Sequence, residues 1–256
     1  MSHKFETISV IGLGYVGLPT AATLASRDVK VIGVDIRQDA VSRINEGRSH
    51  ILEPDLDIIL QAVVAAGKLR AVTRPEPADA FLIAVPTPVR PDHTPDMHAV
   101  ESATDSLIDV LRPGNLVVLE STSPVGTTKR LAQLIAERRP DLRLPGIGDD
   151  EPNIFMAYCP ERILPGQTLR ELIDNDRIIG GLDRASAERA RELYSLFCRG
   201  DLPLTDASTA EMVKLTENAY RDVNIAFANE VSMVCDRARL DVWSVVSLAN
   251  HPCLSA

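Results

Sequence analysis

The run Gly12-Leu13-Gly14-Tyr15-Val16-Gly17 constrains this chain more than any other feature. It follows the apolar stretch Thr7-Ile8-Ser9-Val10-Ile11 and precedes a segment of helical period, so it sits where a strand turns into a helix. Each glycine answers a separate steric demand. Gly12 makes a tight turn, Gly14 lets backbone approach a diphosphate, and Gly17 lets helix and strand pack closely. The N–H groups at the helix start then favour an anion by roughly 0.3–1 kcal/mol through the helix dipole. Asp35 ends the next apolar run, 18 residues after Gly17. Its carboxylate is placed to accept from a ribose 2′-hydroxyl and to repel a 2′-phosphate, which selects NAD over NADP. Arg37 stands near enough to soften that choice.

Further along, short apolar runs alternate with longer segments of helical period. Buried strands are expected at Thr7–Ile11, Val29–Val34, Ala80–Val85 and Leu116–Leu119, with helices at about 15–26, 37–46, 55–66, 96–111 and 125–138. Such alternation specifies an α/β fold with a doubly wound parallel sheet of the Rossmann type, covered on both faces. After a polar loop over 140–152 come a strand at Ile154–Tyr158, the pair Ile178–Ile179 and a helix at about 185–198. From Thr205 the pattern changes. Met212, Leu215, Ala219, Val223, Phe227, Val231, Val234 and Ala238 recur three or four apart, with no proline or glycine before Pro252. This reads as one central helix of some 40 residues, a connector or a subunit interface. Two domains are expected, 1–203 and 204–256.

Composition narrows the function. The 256 residues carry 36 acidic and 27 basic side chains, a formal net charge of −9, without a basic cluster. A nucleic-acid partner is not expected, and aromatics at 4% offer no base-stacking surface. No run of 18 apolar residues is present, so no membrane span is expected. Met1-Ser2-His3-Lys4 leads straight into a strand without a secretory signal. Cys159, Cys198, Cys235 and Cys253 are far apart and form no C-x-x-C pair, which argues against a metal site and suits a reducing cytoplasm.

Three segments fall where strand ends would meet the dinucleotide. Val85-Pro86-Thr87-Pro88 holds the Thr87 hydroxyl on a stiff exit, or is simply a rigid turn. In Glu120-Ser121-Thr122-Ser123-Pro124-Val125-Gly126-Thr127-Thr128, Ser123 reads as N-cap and Pro124 as first helical residue, which leaves Thr122 and Thr128 available to a ligand or water. Glu161, in Tyr158-Cys159-Pro160-Glu161-Arg162-Ile163-Leu164-Pro165-Gly166, is either a base acting through water or an ordinary surface carboxylate. On the long helix, Lys214 and Asn218 share a face, with Arg221 and Asp222 one turn along. An ammonium there would stabilise negative charge developing on oxygen.

Taken together these motifs, with Lys214-Leu-Thr-Glu-Asn-Ala-Tyr-Arg-Asp-Val-Asn-Ile-Ala-Phe-Ala-Asn-Glu230, resemble the nucleotide-sugar 6-dehydrogenases, over residues 5 to about 251. Within that family they are most similar to the bacterial branch acting on UDP-N-acetyl-D-mannosamine. The resemblance implies oxidation of C6 of a UDP-N-acetylhexosamine from alcohol to carboxylate by two NAD in succession, for surface polysaccharide. It implies that Thr122 and Glu161 handle the hydrolytic water while Lys214 and Asn218 hold substrate and developing charge. Tyr15, Val16, Asp35, Thr87 and Thr128 would contact NAD beside Gly12, Gly14 and Gly17. Arg162, Ile163, Arg221 and His251 would contact the sugar nucleotide, and the helix over 206–250 would form a homodimer. The family's nucleophile is a cysteine in a glycine-rich segment beyond this helix, and a second Rossmann-like domain binds UDP. Neither is expected here: Cys253 has no glycines before it and no aspartate after it. The chain is therefore expected to be the NAD-binding portion, with little or no turnover alone. Two other readings stand beside it. A two-electron 3-hydroxy acid dehydrogenase also uses Lys-x-x-x-Asn, though the Ser121–Thr128 and Pro160-Glu161 segments fit it poorly. A non-catalytic NAD-binding dimerisation module is the other.

Overall fold

The computed structural model describes residues 5–148, 150–163 and 166–250. Contacts divide the chain into a first unit, Met1–Met212, and a second unit beginning at Val213.

The first unit is built on one eight-stranded sheet in the order β3 (Leu69–Val72), β2 (Lys30–Val34), β1 (Thr7–Ile11), β4 (Ala80–Ile83), β5 (Leu116–Leu119), β6 (Phe155–Tyr158), β7 (Ile179–Gly181), β8 (Leu204–Asp206). All neighbours run parallel except β6 and β7, which pair antiparallel. The expected doubly wound parallel sheet is found, with that one antiparallel pair added. There β6 returns through α6 (Thr168–Asp174) rather than through a full crossover to the opposite edge.

Every residue of β4 (Ala-Phe-Leu-Ile) and β5 (Leu-Val-Val-Leu) is buried, because helices cover both faces. One apolar layer packs α1 (Gly17–Ala25), α3 (Leu56–Ala65) and α7 (Arg184–Tyr194) through Leu18, Leu24, Leu60 and Leu193. The other packs α4 (His98–Leu107) and α5 (Thr127–Arg138) through Val100, Leu107, Leu131 and Ile135. Each such side chain contributes about 1.5–3 kcal/mol of burial. The chain leaves β1 for β2 on one side and returns to β4 on the other, so the crevice between β1 and β4 is a topological switch point. The helix α2 (Gln38–Asn45) descends from the end of β2 and is followed by the loop 46–55.

The single long helix is corrected to two. The first is α8 (Ala207–Ala238); Arg239 adopts φ +56°, and α9 (Val242–Ala249) starts anew. Asp241 is the local cause: its carboxylate accepts from the N–H groups of Trp243 and Ser244, which caps a new helix. In the second unit Tyr220, Val223, Phe227, Val234 and Trp243 are 61–78% exposed.

Candidate functional site

The glycine turn is dictated by its neighbours. Gly12 has φ +91°, and a Cβ there would lie 2.6 Å from the Ala84 carbonyl oxygen. A Cβ on Gly17 would lie 1.8 Å from the Gly12 oxygen. Gly14 differs from both: nothing stands within 4 Å of its Cβ position, so the turn presents bare backbone to open space. The α1 helix starts directly behind it, with no side-chain cap at Val16 and no acid in its first turn. Tyr15 is 54% exposed at the same rim.

Asp35 closes the other side. Its Oδ2 accepts from the Leu13 N–H at 3.1 Å, which ties the end of β2 to the glycine turn. Its Oδ1 accepts from the Arg37 N–H at 2.9 Å, and the Arg37 guanidinium lies 3.5 Å away. One oxygen thus carries both Arg37 contacts, while the other accepts a single N–H and keeps a lone pair for a ribose hydroxyl. An open glycine cradle, an uncapped helix start and a poised carboxylate together fit a dinucleotide diphosphate and its ribose.

From β4 the chain passes Ala84 and Val85, which stand against the Gly12 turn, and runs through Pro86, half-buried Thr87 and Pro88 into a hairpin bridged at Val89 and Pro95. From β5 comes Glu120 to Thr128. Here the sequence reading needs correction. Ser123 does not cap α5; it is buried and donates to the Ser121 carbonyl at 2.8 Å. The N-cap is Gly126, at φ +91°, and the capping acceptor is Glu211 from the start of α8. Glu211, 0% exposed, accepts from the Gly126 N–H at 2.5 Å, the Thr128 N–H at 2.8 Å and the Thr128 hydroxyl at 2.7 Å. The Thr128 hydroxyl is buried and its one proton is donated to Glu211. Local capping rules missed this because the acceptor is 83 residues away. Thr122 remains half-buried at the strand end.

From β6, the strand next to β5, come Glu161, Arg162 and Ile163, all half-buried. The Glu161 Oε2 accepts from the Ile163 N–H at 2.8 Å. Asn175 donates to the Arg162 carbonyl at 2.9 Å, and Arg162 donates to the Asp176 carbonyl at 3.3 Å. Thr87, Thr122 and Glu161 thus leave consecutive sheet neighbours at the same carboxyl edge as the glycine turn.

Beneath this edge lies a buried polar group that the sequence did not signal. Tyr194 donates to Glu120 Oε1 at 2.6 Å, and Arg177 stands 4.0 Å from the same oxygen, stacked over the Tyr194 and Phe197 rings. Burial pushes the Glu120 carboxyl above the ordinary carboxylate range, against the opposing pull of Arg177 and the Tyr194 hydroxyl. Burial likewise pushes the Cys159 thiol up to about 12, which leaves it inert.

In the second unit, Lys214 and Asn218 lie one turn apart on α8, and Arg221 follows three residues later, exposed. His251 and Cys253 lie outside the described residues. Among the described residues no cluster of His, Cys, Asp or Glu could hold a metal ion, and no helix is long and apolar enough to cross a membrane.

A switch-point crevice with a glycine cradle, a ribose-facing carboxylate and polar side chains on adjacent strand ends defines a nicotinamide-dinucleotide-dependent oxidoreductase domain. Residues 6–198 match the NAD binding domain of the UDP-glucose/GDP-mannose dehydrogenase family, and residues 208–252 match its central domain. The chain belongs to that family, and its cofactor is NAD. It is 59% identical over 249 residues to an NDP-N-acetyl-D-galactosaminuronic acid dehydrogenase of Ralstonia nicotianae, covering 97% of this chain and 59% of that protein. It is 58% identical over 250 residues to a UDP-N-acetyl-D-mannosamine dehydrogenase of Yersinia pestis, covering 97% of this chain and 60% of that protein. The solved UDP-D-ManNAc dehydrogenase of Pyrococcus horikoshii superposes with a TM-score of 0.90 at 41% identity, over 96% of this chain and 58% of that one. The chain spans about three-fifths of the length of these relatives.

Proposed function

We propose that this chain is the NAD-binding portion of an enzyme that oxidises C6 of a UDP-N-acetylhexosamine, UDP-N-acetyl-D-mannosamine, to the uronate for surface polysaccharide in the cytoplasm. The supporting observation is that Thr122 and Glu161 leave the adjacent strands β5 and β6 at the edge carrying the glycine cradle. Relatives named for that substrate, 55–58% identical over nearly the whole chain, point the same way. When bound, NAD supplies the hydride acceptor. Gly12, Gly14, Gly17, Tyr15 and Val16 receive its diphosphate half, Asp35 takes the adenosine ribose, and Thr87 stands on the nicotinamide side. Thr128, whose hydroxyl donates to Glu211, is the further NAD contact on this edge.

Glu161 accepts a proton from water that Thr122 orients, and on α8 Lys214 and Asn218 hold the sugar and stabilise negative charge developing on its oxygen. Arg162, Ile163, Arg221 and His251 carry the sugar nucleotide. The domain boundary is drawn at 203/204, and the apolar side chains exposed on the second unit cover one another in a homodimer.

The experiment is a titration of NAD and UDP-sugars with NADH absorbance as readout. NAD binding is expected, with substrate-dependent NADH far below that of a full-length relative. Failure to bind NAD refutes the assignment; robust release of two NADH per UDP-N-acetylmannosamine refutes the view that this portion is incomplete. A matched titration with UDP-N-acetylgalactosamine separates the two sugars.

A further inference from the structure

Arg177 lies in the 175–178 link between α6 and β7, and its side chain is 2% exposed. Its guanidinium carbon is 5.3 Å from the Tyr194 ring centre and 5.5 Å from that of Phe197, and Nη1 stands 4.0 Å from Glu120 at the end of β5. Nε and Nη1 have no hydrogen-bond partner among the described residues. For stability alone this is a poor use of the space, because an apolar side chain of similar volume fills a buried site with less desolvation. What the guanidinium does supply is a fixed point, a rigid plane gripped by two rings and faced by a carboxyl from another element.

The two residues before Arg177 use that point. Asn175 donates its side-chain N–H to the Arg162 carbonyl at 2.9 Å, and the Asp176 carbonyl accepts from the Arg162 guanidinium at 3.3 Å. Arg162 is thus held at its backbone and at its charged end. Glu161 is its chain neighbour after β6, and Thr122 follows Glu120 after β5. We propose that Arg177 is a positioning residue: its buried side chain, seated on Tyr194 and Phe197 against Glu120, pins the 175–178 link that holds Arg162, and so fixes Glu161 and Arg162 relative to Thr122. One buried group thereby references the exits of both β5 and β6. The inference rests on the roles proposed above for Thr122, Glu161 and Arg162.

The link has other backbone bonds. The Arg177 N–H donates to the Asp201 carbonyl at 2.9 Å, and the Asp201 N–H to Asp176 Oδ1 at 2.8 Å. Both survive Arg177→Met. Glu120, whose carboxyl burial already pushes up, then takes a proton and keeps its Tyr194 bond, so this variant is expected to fold. The test is residue-resolved amide hydrogen exchange on the whole chain, with titrations of NAD and of UDP-N-acetyl-D-mannosamine, in the wild type, Arg177→Met, Arg177→Lys and Asn175→Ala. In Arg177→Met, exchange at Glu161, Arg162 and Ile163 quickens about tenfold, as loss of one anchoring contact implies, while β4 and β5 amides keep their rates. Affinity for the UDP-sugar falls by a similar factor, and that for NAD holds within about twofold. Arg177→Lys keeps the charge without the planar fork and carries the same test in milder form if Arg177→Met does not fold. Asn175→Ala, with Arg177 in place, gives the same quickening because the link is the relay. Exchange at 161–163 that stays at the wild-type rate in these variants, or rises only in step with β4 and β5, overturns the proposal. A wild type that does not bind the UDP-sugar refutes the role given to Arg162, and the exchange rates still decide whether Arg177 is the anchor.

Discussion

The three glycines of the turn separate folding from binding, and alanine substitution measures each. Gly14 has no neighbour within 4 Å of its Cβ position and no positive φ, so Gly14→Ala strains nothing in the free chain. Restricting the unfolded chain adds about 0.4–1 kcal/mol of stability. The melting temperature should therefore hold or rise by roughly 1–3 °C for a domain of this size. The added methyl occupies the space in which the backbone meets a diphosphate, and NAD affinity should fall at least about tenfold, or ~1.4 kcal/mol. Gly17→Ala is the opposite case. Its methyl lies 1.8 Å from the Gly12 carbonyl oxygen, a backbone atom that no rotamer change can move, so the turn itself must shift. A loss of roughly 2–4 kcal/mol of stability is expected, as for a badly overpacked site. Isothermal titration with NAD beside thermal and urea denaturation reads both quantities. If Gly14→Ala binds NAD like the wild type at unchanged stability, the assignment of the cradle is wrong.

Glu211→Ala leaves the Gly126 and Thr128 donors buried without an acceptor and should cost roughly 2–4 kcal/mol in urea denaturation. Asp35→Asn removes the charge that rejects a 2′-phosphate while leaving Arg37 in place, so the ratio of NAD to NADP affinity, read by fluorescence titration of the reduced cofactors, should drop by on the order of tenfold. Glu120 titrates higher in the folded state than in the unfolded chain, so its stabilisation is full below the ordinary glutamate pKa and is lost as pH rises through the folded value. The wild type should accordingly lose stability relative to Glu120→Gln as pH is raised above about 4.3, and parallel urea midpoints for the two would contradict this. In sizing chromatography the chain should elute as a dimer or larger species, and a clean monomer would count against the second unit as a self-association surface.

What the sequence revealed followed the range of the interactions involved. The β1–turn–α1 unit and Asp35 were legible because strand, glycine spacing and carboxylate lie within 30 residues and each serves a local steric need. The central strands Leu116–Leu119 and Phe155–Tyr158 were legible because burial on both faces leaves a continuous apolar run. Strand β3 carries no such signal, because Leu69-Arg70-Ala71-Val72 is a short edge strand with alternating burial. The break after Ala238 was hidden because neither proline nor glycine makes it; Arg239 in a left-handed conformation and the Asp241 cap do. Near the carboxyl edge, the places of Thr87, Thr122 and Glu161 after strands are legible in the sequence. Glu211 and the Glu120–Tyr194–Arg177 group are not, since the partners of Glu211 and Glu120 are 57 to 85 residues distant and nothing beside them in the chain announces the contact.

Glu211 has one more effect, on how a ligand can enter. Helix starts at the carboxyl edge of such a sheet compete as seats for phosphate, and α5 offers one beside α1. The chain has filled the α5 seat with its own carboxylate, so a diphosphate arriving there meets like charge instead of vacant donors. The berth behind Gly14, where no side chain caps α1 and its first turn carries no acid, keeps its donors open to an anion.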